Sequence, residues 1–314
     1  TAHVTDALLN PKSSSTVFID DAALTFLSPL HGYSGKVNAV FRTPGSEIAS
    51  EPPGSRASAE LSSTGDADVA ESPDFTAPDQ PGIYDLAVQI DQARKQIDGL
   101  KIVTLVPFSE KRNQRIGLYY LGKWPFENGG QPKSRAYENP SGFIKVTREN
   151  RATQVSEHFR LEDFLTKDQP NVWPKYLLLS SNLLDKLELI IEDLNAHGYK
   201  VNHIMIMSGF RTPRYNAGGG NTEGRANLSR HMYGDASDIF VDNNGDRYTD
   251  DLNGDGKVNM KDAEIIAAAA ERVERRYPSL VGGVGTYQAC CGHGPFVHVD
   301  VRGYRARWRG TGNG

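Results

Sequence analysis

Cysteine is nearly absent from the chain: its two representatives, Cys290 and Cys291, stand side by side. Consecutive Cα atoms lie about 3.8 Å apart, closer than a relaxed disulfide prefers. The pair is therefore expected to stay unbonded, and no disulfide framework is expected to staple the fold. The sequence also lacks any apolar run approaching the ~20 residues that a membrane-crossing helix needs, so no membrane span is expected. It lacks a basic excess as well: 35 Lys and Arg stand against 39 Asp and Glu, a formal net charge of -4. That balance removes the electrostatic footprint of a nucleic-acid partner. Finally, Thr1 opens a polar stretch with neither a basic start nor the apolar core of an export leader. A start at Thr suits a trimmed chain, and the compartment has to be inferred from the chemistry.

What is present suffices for ordinary folded domains. The chain has 314 residues, 38% of them hydrophobic, and a length of this order suggests two domains. Residues 1–15 are polar and end in a serine run, which reads as a loose start. From residue 16 to 108 the signals are those of strands. Tyr84, Leu86, Val88 and Ile90 alternate with polar or small residues, the period of a half-buried strand. Lys101 to Phe108 is a β-branched run after an expected turn at Asp98-Gly99. Gly45 to Pro81 is rich in Pro, Ser, Gly and acidic residues, a loop composition. An all-β sandwich is expected over 16–108.

Residues 109–155 form a bridging segment in which Arg115 to Leu121 resembles one further strand. Its Tyr119, Tyr120, Trp124 and Phe126 suit either core or a sugar-binding face, with core preferred. From 156 to 314 the pattern becomes α+β. Leu183, Leu184, Leu187, Ile190, Ile191 and Leu194 form a stripe at helical spacing, with Ser181 as cap and Gly198 as stop. Ile204 to Met207 suggests a central strand, Lys261 to Arg276 a second helix stopped by Pro278, and Phe296 to Val301 a late strand. A small antiparallel sheet is expected to join these.

Three segments of this second half carry chemistry: SGFRTPRYN from Ser208, SRHMYGDASDI from Ser229, and GHGPFVHVDV from Gly292. His231 and Asp238 are separated by six residues, with Gly234 and Ala236 small enough to allow a tight path back to a common point. His298, on the late strand, can point at the same place. Imidazole and carboxylate both bind zinc, and three protein ligands leave the fourth position of a catalytic site open for water. The glycine run Gly218 to Gly220 with Gly224 has no Lys-Ser/Thr pair after it, so it is no P-loop. It is expected to be a mobile loop at the rim of the metal cleft.

These segments resemble the zinc D-Ala-D-Ala carboxypeptidase and murein endopeptidase family, whose fold is shared with hedgehog-type domains. Ser208 and Arg211 match its S-x-x-R, His231 and Asp238 its H-x6-D, and His298 its late histidine. The stretch from Gly282 to Trp308 is most similar to the branch of periplasmic murein endopeptidases. The resemblance spans about 156–310 and leaves the first 150 residues outside. It implies a zinc metallopeptidase, a hydrolase acting as carboxypeptidase or endopeptidase of D,D- or L,D-type, in the periplasm or secreted. His231, Asp238 and His298 would hold zinc. Arg211, with Ser208, would bind substrate, because a guanidinium grips carboxylates with two hydrogen bonds. Peptidoglycan peptides would be the partners.

The chain departs from the family where many members carry the general base. Pro295 and Phe296 occupy those positions, and neither can move a proton. Two candidates remain: Asp300, two residues beyond His298 on the same strand face, and His293 in the preceding loop. Asp300 fits either the zinc water or the support of His298. A zinc-holding but inactive module that binds wall peptide or a protein partner is the main alternative, and a dipeptidase of the same family is another.

A second metal signal is independent of the first. DLNGDGKVNMKD, from Asp251, places oxygen ligands at loop positions 1, 3, 5, 9 and 12: Asp251, Asn253, Asp255, Asn259 and Asp262. Gly256 takes the sharp turn and Lys257 would lend its carbonyl, the spacing of an EF-hand-type calcium loop. Asp242, Asn244 and Asp246 begin the same pattern without a clean ending. Residues 242–262 are thus expected to be an insertion rigidified by calcium.

Overall fold

The computed structural model describes short strands at 2–3, 16–19, 23–25, 35–42, 56–61 and 74–76, and residues 78–90, 93–219, 225–290 and 292–311. The chain divides into two compact units, 1–107 with 141–145, and 108–140 with 146–314. Of the expected bridge, 109–140 and 146–155 thus group with the second unit and 141–145 with the first.

The described part of the first unit is built of strands. One sheet runs in the order Thr16–Ile19, Ala93–Thr104, Gly82–Ile90, Gly35–Arg42, Arg56–Leu61, with the first pair parallel and the others antiparallel. Ala2–His3, Ala23–Thr25 and Asp74–Thr76 form a second, small sheet. Asp98-Gly99 does not end the strand, which runs as Ala93–Thr104, but it falls in a break of the ladder: Gln96 pairs with Ala87 and Lys101 with Asp85, and the register shifts between them. Two strands, Arg56–Leu61 and Asp74–Thr76, form inside the stretch whose composition suggested loop. Residues 45–55, 62–73 and 77 of that stretch, and all but Ala2–His3 of the expected loose start, lie outside the described residues.

The second unit has mixed helix and sheet. Arg115 to Leu121 is a hairpin rather than one strand: Arg115–Ile116 pairs with Tyr119–Tyr120, and Gly117 at φ 56° supplies the turn. Tyr119 and Trp124 are fully buried, and the Trp124 indole donates to the Met232 carbonyl at 3.0 Å. These aromatics are core.

The central sheet has five strands: β1 (Ile204–Ser208), β2 (Ala236–Val241), β3 (Gly283–Tyr287), β4 (Phe296–Asp300) and β5 (Ala306–Gly310). Their spatial order is β1-β2-β4-β3-β5. The apolar β1, expected to be central, is an edge strand. Just beyond its end the Phe210 N–H donates to the Phe164 carbonyl at 2.9 Å. All neighbours are antiparallel except β3 and β5, which run parallel. The chain leaves β4, crosses the start of β3 and runs alongside it.

Side chains alternate between the faces of a strand. Ile239, Val284, Val297 and Val299 fill one face and are buried. Helix α1 (Ser181–Ala196) and helix α3 (Met260–Arg276) pack together, and α3 lies against β3 and β4. The expected stripe on α1 is buried throughout, each Leu or Ile stabilising the unit by about 2 kcal/mol. Its cap is Ser180 rather than Ser181, and Gly198 at φ 88° follows its end. A short helix, α2 (Pro213–Gly218), follows β1, with Thr212 Oγ1 capping it. Within the expected glycine-rich rim loop, residues 220–224 lie outside the described residues.

Lys186 of α1 is wholly buried. It donates to Glu274 at 2.6 Å and to the Asp300 carbonyl at 2.7 Å, which ties the helical layer to the end of β4. Among the described residues no helix is long and apolar enough to cross a membrane.

Candidate metal centre

The register of the sheet lines up the chemistry. Ser208 pairs with Asp238, Asp238 with His298, His298 with Gly285, and Gly285 with Trp308. One row across five strands therefore carries Ser208, Asp238, His298 and Trp308 on the face away from α3. His231 reaches the same point from a 3-10 turn, Arg230–Tyr233, that precedes β2. Gly234 ends that turn at φ 70°, and any Cβ there would meet the Leu178 backbone at 2.3 Å. Arg230 pins the turn by pairing with Asp235 and by lying between the rings of Tyr137 and Tyr233.

Three ligand atoms converge. His231 Nε2 lies 3.2 Å from Asp238 Oδ1 and 3.2 Å from His298 Nδ1, and His298 Nδ1 lies 2.9 Å from Asp238 Oδ1. All three residues are buried. The outer nitrogens explain why these atoms meet. His231 Nδ1 is 2.7 Å from the Gly209 carbonyl, which can only accept. His298 Nε2 is 3.0 Å from Asp300 Oδ2, a carboxylate with the same limitation. Each imidazole therefore carries its proton on the outer nitrogen and turns a lone pair inward. Two lone pairs and a carboxylate oxygen then face one point, an arrangement that a cation stabilises. This donor set fits zinc.

Charge follows the same logic. Burial lowers the His231 pKa to about 4, and the nearby Arg211 guanidinium adds to the effect. Burial also opposes charge on His298, but Asp238 and Asp300 outweigh it and raise that pKa. Burial works against ionised Asp238, and His231 with Arg211 overcomes it, holding the carboxyl well below the usual range.

The other expected site residues fall into place around this group. Arg211 does not present an open fork. Its Nη2 donates to Asp238 Oδ2 at 2.5 Å and its Nε to Ser208 Oγ at 2.8 Å, so Ser208 and Arg211 together hold the outer oxygen of Asp238. Asp300 is fully buried behind His298. Its Oδ1 accepts from the Gly283 and Arg302 backbone N–H groups, and Arg302 Nε reaches both oxygens. That geometry supports His298 and faces away from the converging atoms. His293 Nδ1 lies 2.8 Å from the Gly294 carbonyl, and its ring meets Phe296 edge-on. It is not one of the converging residues.

Two features escaped the sequence reading. Trp308 sets its ring 5.1 Å from that of His298. It can do so because β3 is bare beneath it: a Cβ on Gly285 would sit 2.2 Å from the indole, and one on Gly283 2.3 Å from Asp300. The GGVG spacing was the available signal. The second feature is Cys290, which is disulfide-bonded, against the expectation of unbonded cysteines. The sequence offers one other cysteine, Cys291, which lies outside the described residues. A tight turn brackets the pair, closed by Cys290 N–H to His293 O at 3.2 Å and the reverse bond at 3.0 Å.

Among the described residues one further group has metal-binding residue types together: Glu157, His158 and Glu188. Both Glu188 oxygens there are engaged by His158, through its backbone N–H and Nδ1. The expected calcium ligands do not form such a group. Asp251 Oδ1 accepts from the Gly254 and Asp255 N–H groups and Oδ2 from Gly256. Asp262 accepts from Leu252, Asn253 and Asn259, and forms a capping box with Asn259 at the start of α3. Asn259 donates to the Lys257 carbonyl, and Lys261 pairs with Asp255. The 242–250 turn repeats this scheme, with Asp242 accepting from Gly245, Asp246 and Arg247.

Residues 145–250 match the model of a protein family described as Peptidase M15. The matched segment holds Ser208, Arg211, His231 and Asp238 and ends before β4 and its His298. The resemblance noted in the sequence thus stands for the C-terminal half, and a metallopeptidase of this family accords with the buried His-Asp-His group. Neither a curated protein nor a solved structure gives a significant match.

Proposed function

We propose that this protein is a zinc-dependent peptidase that cleaves peptide bonds in bacterial peptidoglycan, as a carboxypeptidase or cross-link endopeptidase of D,D- or L,D-type. The observation that carries the reading is the convergence of His231 Nε2, Asp238 Oδ1 and His298 Nδ1 with both imidazole protons held outward. These three residues would hold the ion. Bound there, zinc lowers the pKa of a water molecule and polarises the scissile carbonyl.

The chain's own groups do the rest. Gly209 O and Asp300 keep the two tautomers. Arg211 steadies Asp238 and, among the described residues, has Nη1 left to orient the substrate. Part of the same reading is that the first unit is a sandwich that docks the enzyme on its large substrate, and that the protein works in the periplasm or outside the cell. Calcium in the 251–262 loop also belongs to it, supported by side-chain oxygens at alternate positions and by Gly256 at φ 78°. Extracellular calcium suits such a loop.

The test is incubation of purified sacculi with zinc-loaded protein, beside a chelated control, with released muropeptides identified by mass spectrometry. Chelator-sensitive release is expected, and His231→Ala should abolish both zinc binding and release. Full hydrolysis by His231→Ala would end the proposal.

A second reading, a zinc-holding module that binds wall peptide without cutting it, is favoured by one observation. The positions that carry a base in many relatives hold Pro295, whose carbonyl accepts from Thr249, and Phe296, stacked on Tyr287. Retention on sacculi with stoichiometric zinc and no released product would select it.

A further inference from the structure

The metal-bearing face of the sheet holds a hydroxyl that nothing so far uses. Tyr287 lies two residues along β3 from Gly285, so it shares the face of His298. Its ring stacks on Phe296, centroids 4.5 Å apart and planes within 2°. It also covers Gly310 of β5, where a Cβ would come within 2.3 Å of the ring. Its oxygen accepts a hydrogen bond from Trp308 Nε1 at 2.7 Å. Trp308 is the residue whose indole lies over Gly285 and against His298. The phenol is thus clamped in the wall of the metal centre by Phe296 and Trp308.

The direction of the bond matters. An indole N–H can only donate, so Trp308 occupies the acceptor side of the phenol oxygen. The phenol's own proton is left over, and among the described residues it has no acceptor. Burial raises the Tyr287 pKa, and the charges of Asp238 and Arg211 are felt at the ring. The hydroxyl keeps its proton and remains a donor. A tyrosine placed for packing alone would not require the oxygen.

We propose that Tyr287 donates a hydrogen bond to the carbonyl oxygen of the scissile amide as that oxygen gains negative charge, with Trp308 as its positioning residue. The inference rests on the peptidase reading and adds a catalytic residue to it. No proton is transferred: the O–H stays on Tyr287 and stabilises charge developing on the substrate. A preorganised donor of this kind is worth about 10²–10³ in kcat.

The test compares wild type, Tyr287→Phe and Trp308→Phe, all zinc-loaded, in two assays. One is kcat on a purified cross-linked muropeptide. The other is calorimetric binding of the phosphinate analogue of D-alanyl-D-alanine, whose tetrahedral oxygens mimic the addition step. Tyr287→Phe should retain stoichiometric zinc, lose about 10²-fold or more in kcat, and bind the phosphinate at least tenfold more weakly. Trp308→Phe should fall between it and wild type in both. A Tyr287→Phe protein within twofold of wild type in both assays overturns the donor role, and so does one that has lost its zinc. A wild-type protein that neither cleaves nor binds the phosphinate overturns the peptidase reading, and this proposal with it.

Discussion

Asp300→Asn exchanges one oxygen for an NH₂ group at almost constant volume, and its consequence can be worked from the bonds at that carboxylate. Oδ1 accepts from the Gly283 N–H at 2.8 Å and the Arg302 N–H at 3.1 Å, while Oδ2 faces His298 Nε2 at 3.0 Å. Asparagine has a single acceptor oxygen. Left on the two backbone groups, it turns its NH₂ toward His298 and toward the Arg302 guanidinium, which loses its bonds to Oδ2. Nε2 must then accept, and the imidazole proton moves to Nδ1. That proton would point at Asp238 Oδ1, 2.9 Å away, and would occupy the lone pair meant for the ion. The opposite orientation of the amide would break two buried backbone bonds instead.

Support of a ligand by its outer partner is worth about 10–100-fold in metal affinity, or about 1.4–2.7 kcal/mol. Competition with a chromophoric chelator at neutral pH measures this directly, with far-UV circular dichroism as the check on folding. The expected outcome is zinc affinity reduced by that factor in a folded variant. A folded Asp300→Asn protein with wild-type affinity would refute the reasoning about tautomers.

Two further predictions follow from the same face of the sheet. Gly285→Ala should destabilise the protein by about 1–3 kcal/mol, the cost of overpacking, because its Cβ would lie 2.2 Å from Trp308; an unchanged urea midpoint would show that the indole moves aside freely. Acid should also weaken the zinc-free protein in a defined window. Burial disfavours charge on Asp300, but hydrogen bonds from His298 and Arg302 outweigh it and hold its folded pKa below the ordinary carboxylate value. The unfolded chain therefore takes up the proton first, so this contribution is complete above about pH 4 and declines as pH falls below it. Stability measured from pH 5 to pH 2 should drop, and Asp300→Asn should flatten the drop; equal slopes would contradict the assignment.

The convergence of His231, Asp238 and His298 was legible because residue chemistry and backbone geometry coincide at them. His298 lies on a strand that alternation alone identifies. His231 and Asp238 flank small residues that permit the turn Gly234 makes. What resisted reading depends on which strand lies beside which. Ile204 to Met207 is apolar enough for a central strand, yet it stands at the edge of the sheet, beside β2 alone. Asp98-Gly99 has the composition of a turn, and it marks an irregularity within one long strand, where the register against Gly82–Ile90 shifts. Trp308 and Tyr287 stand 21 residues apart in the chain, and the parallel pairing of β3 with β5 brings them together on one face of the sheet. Arg211 carried the right motif, while its partner, Asp238, follows from a bulge between Ile206 and Ser208 that no local pattern announces. The calcium-type spacing of 251–262 is plain in sequence, whereas the bonds from the loop's own N–H groups to its carboxylates follow from the folded turn.

The two histidines of the centre are governed by different kinds of atom. His231 takes its tautomer from a main-chain carbonyl, that of Gly209, which every residue at position 209 would still possess. His298 takes its tautomer from the side chain of Asp300, which a single codon change removes. The electron richness of the centre can therefore be adjusted by side-chain substitution at one imidazole and is fixed by the backbone at the other. Substitution at position 300 can therefore reset the tautomer of one imidazole while leaving that of the other to the main chain.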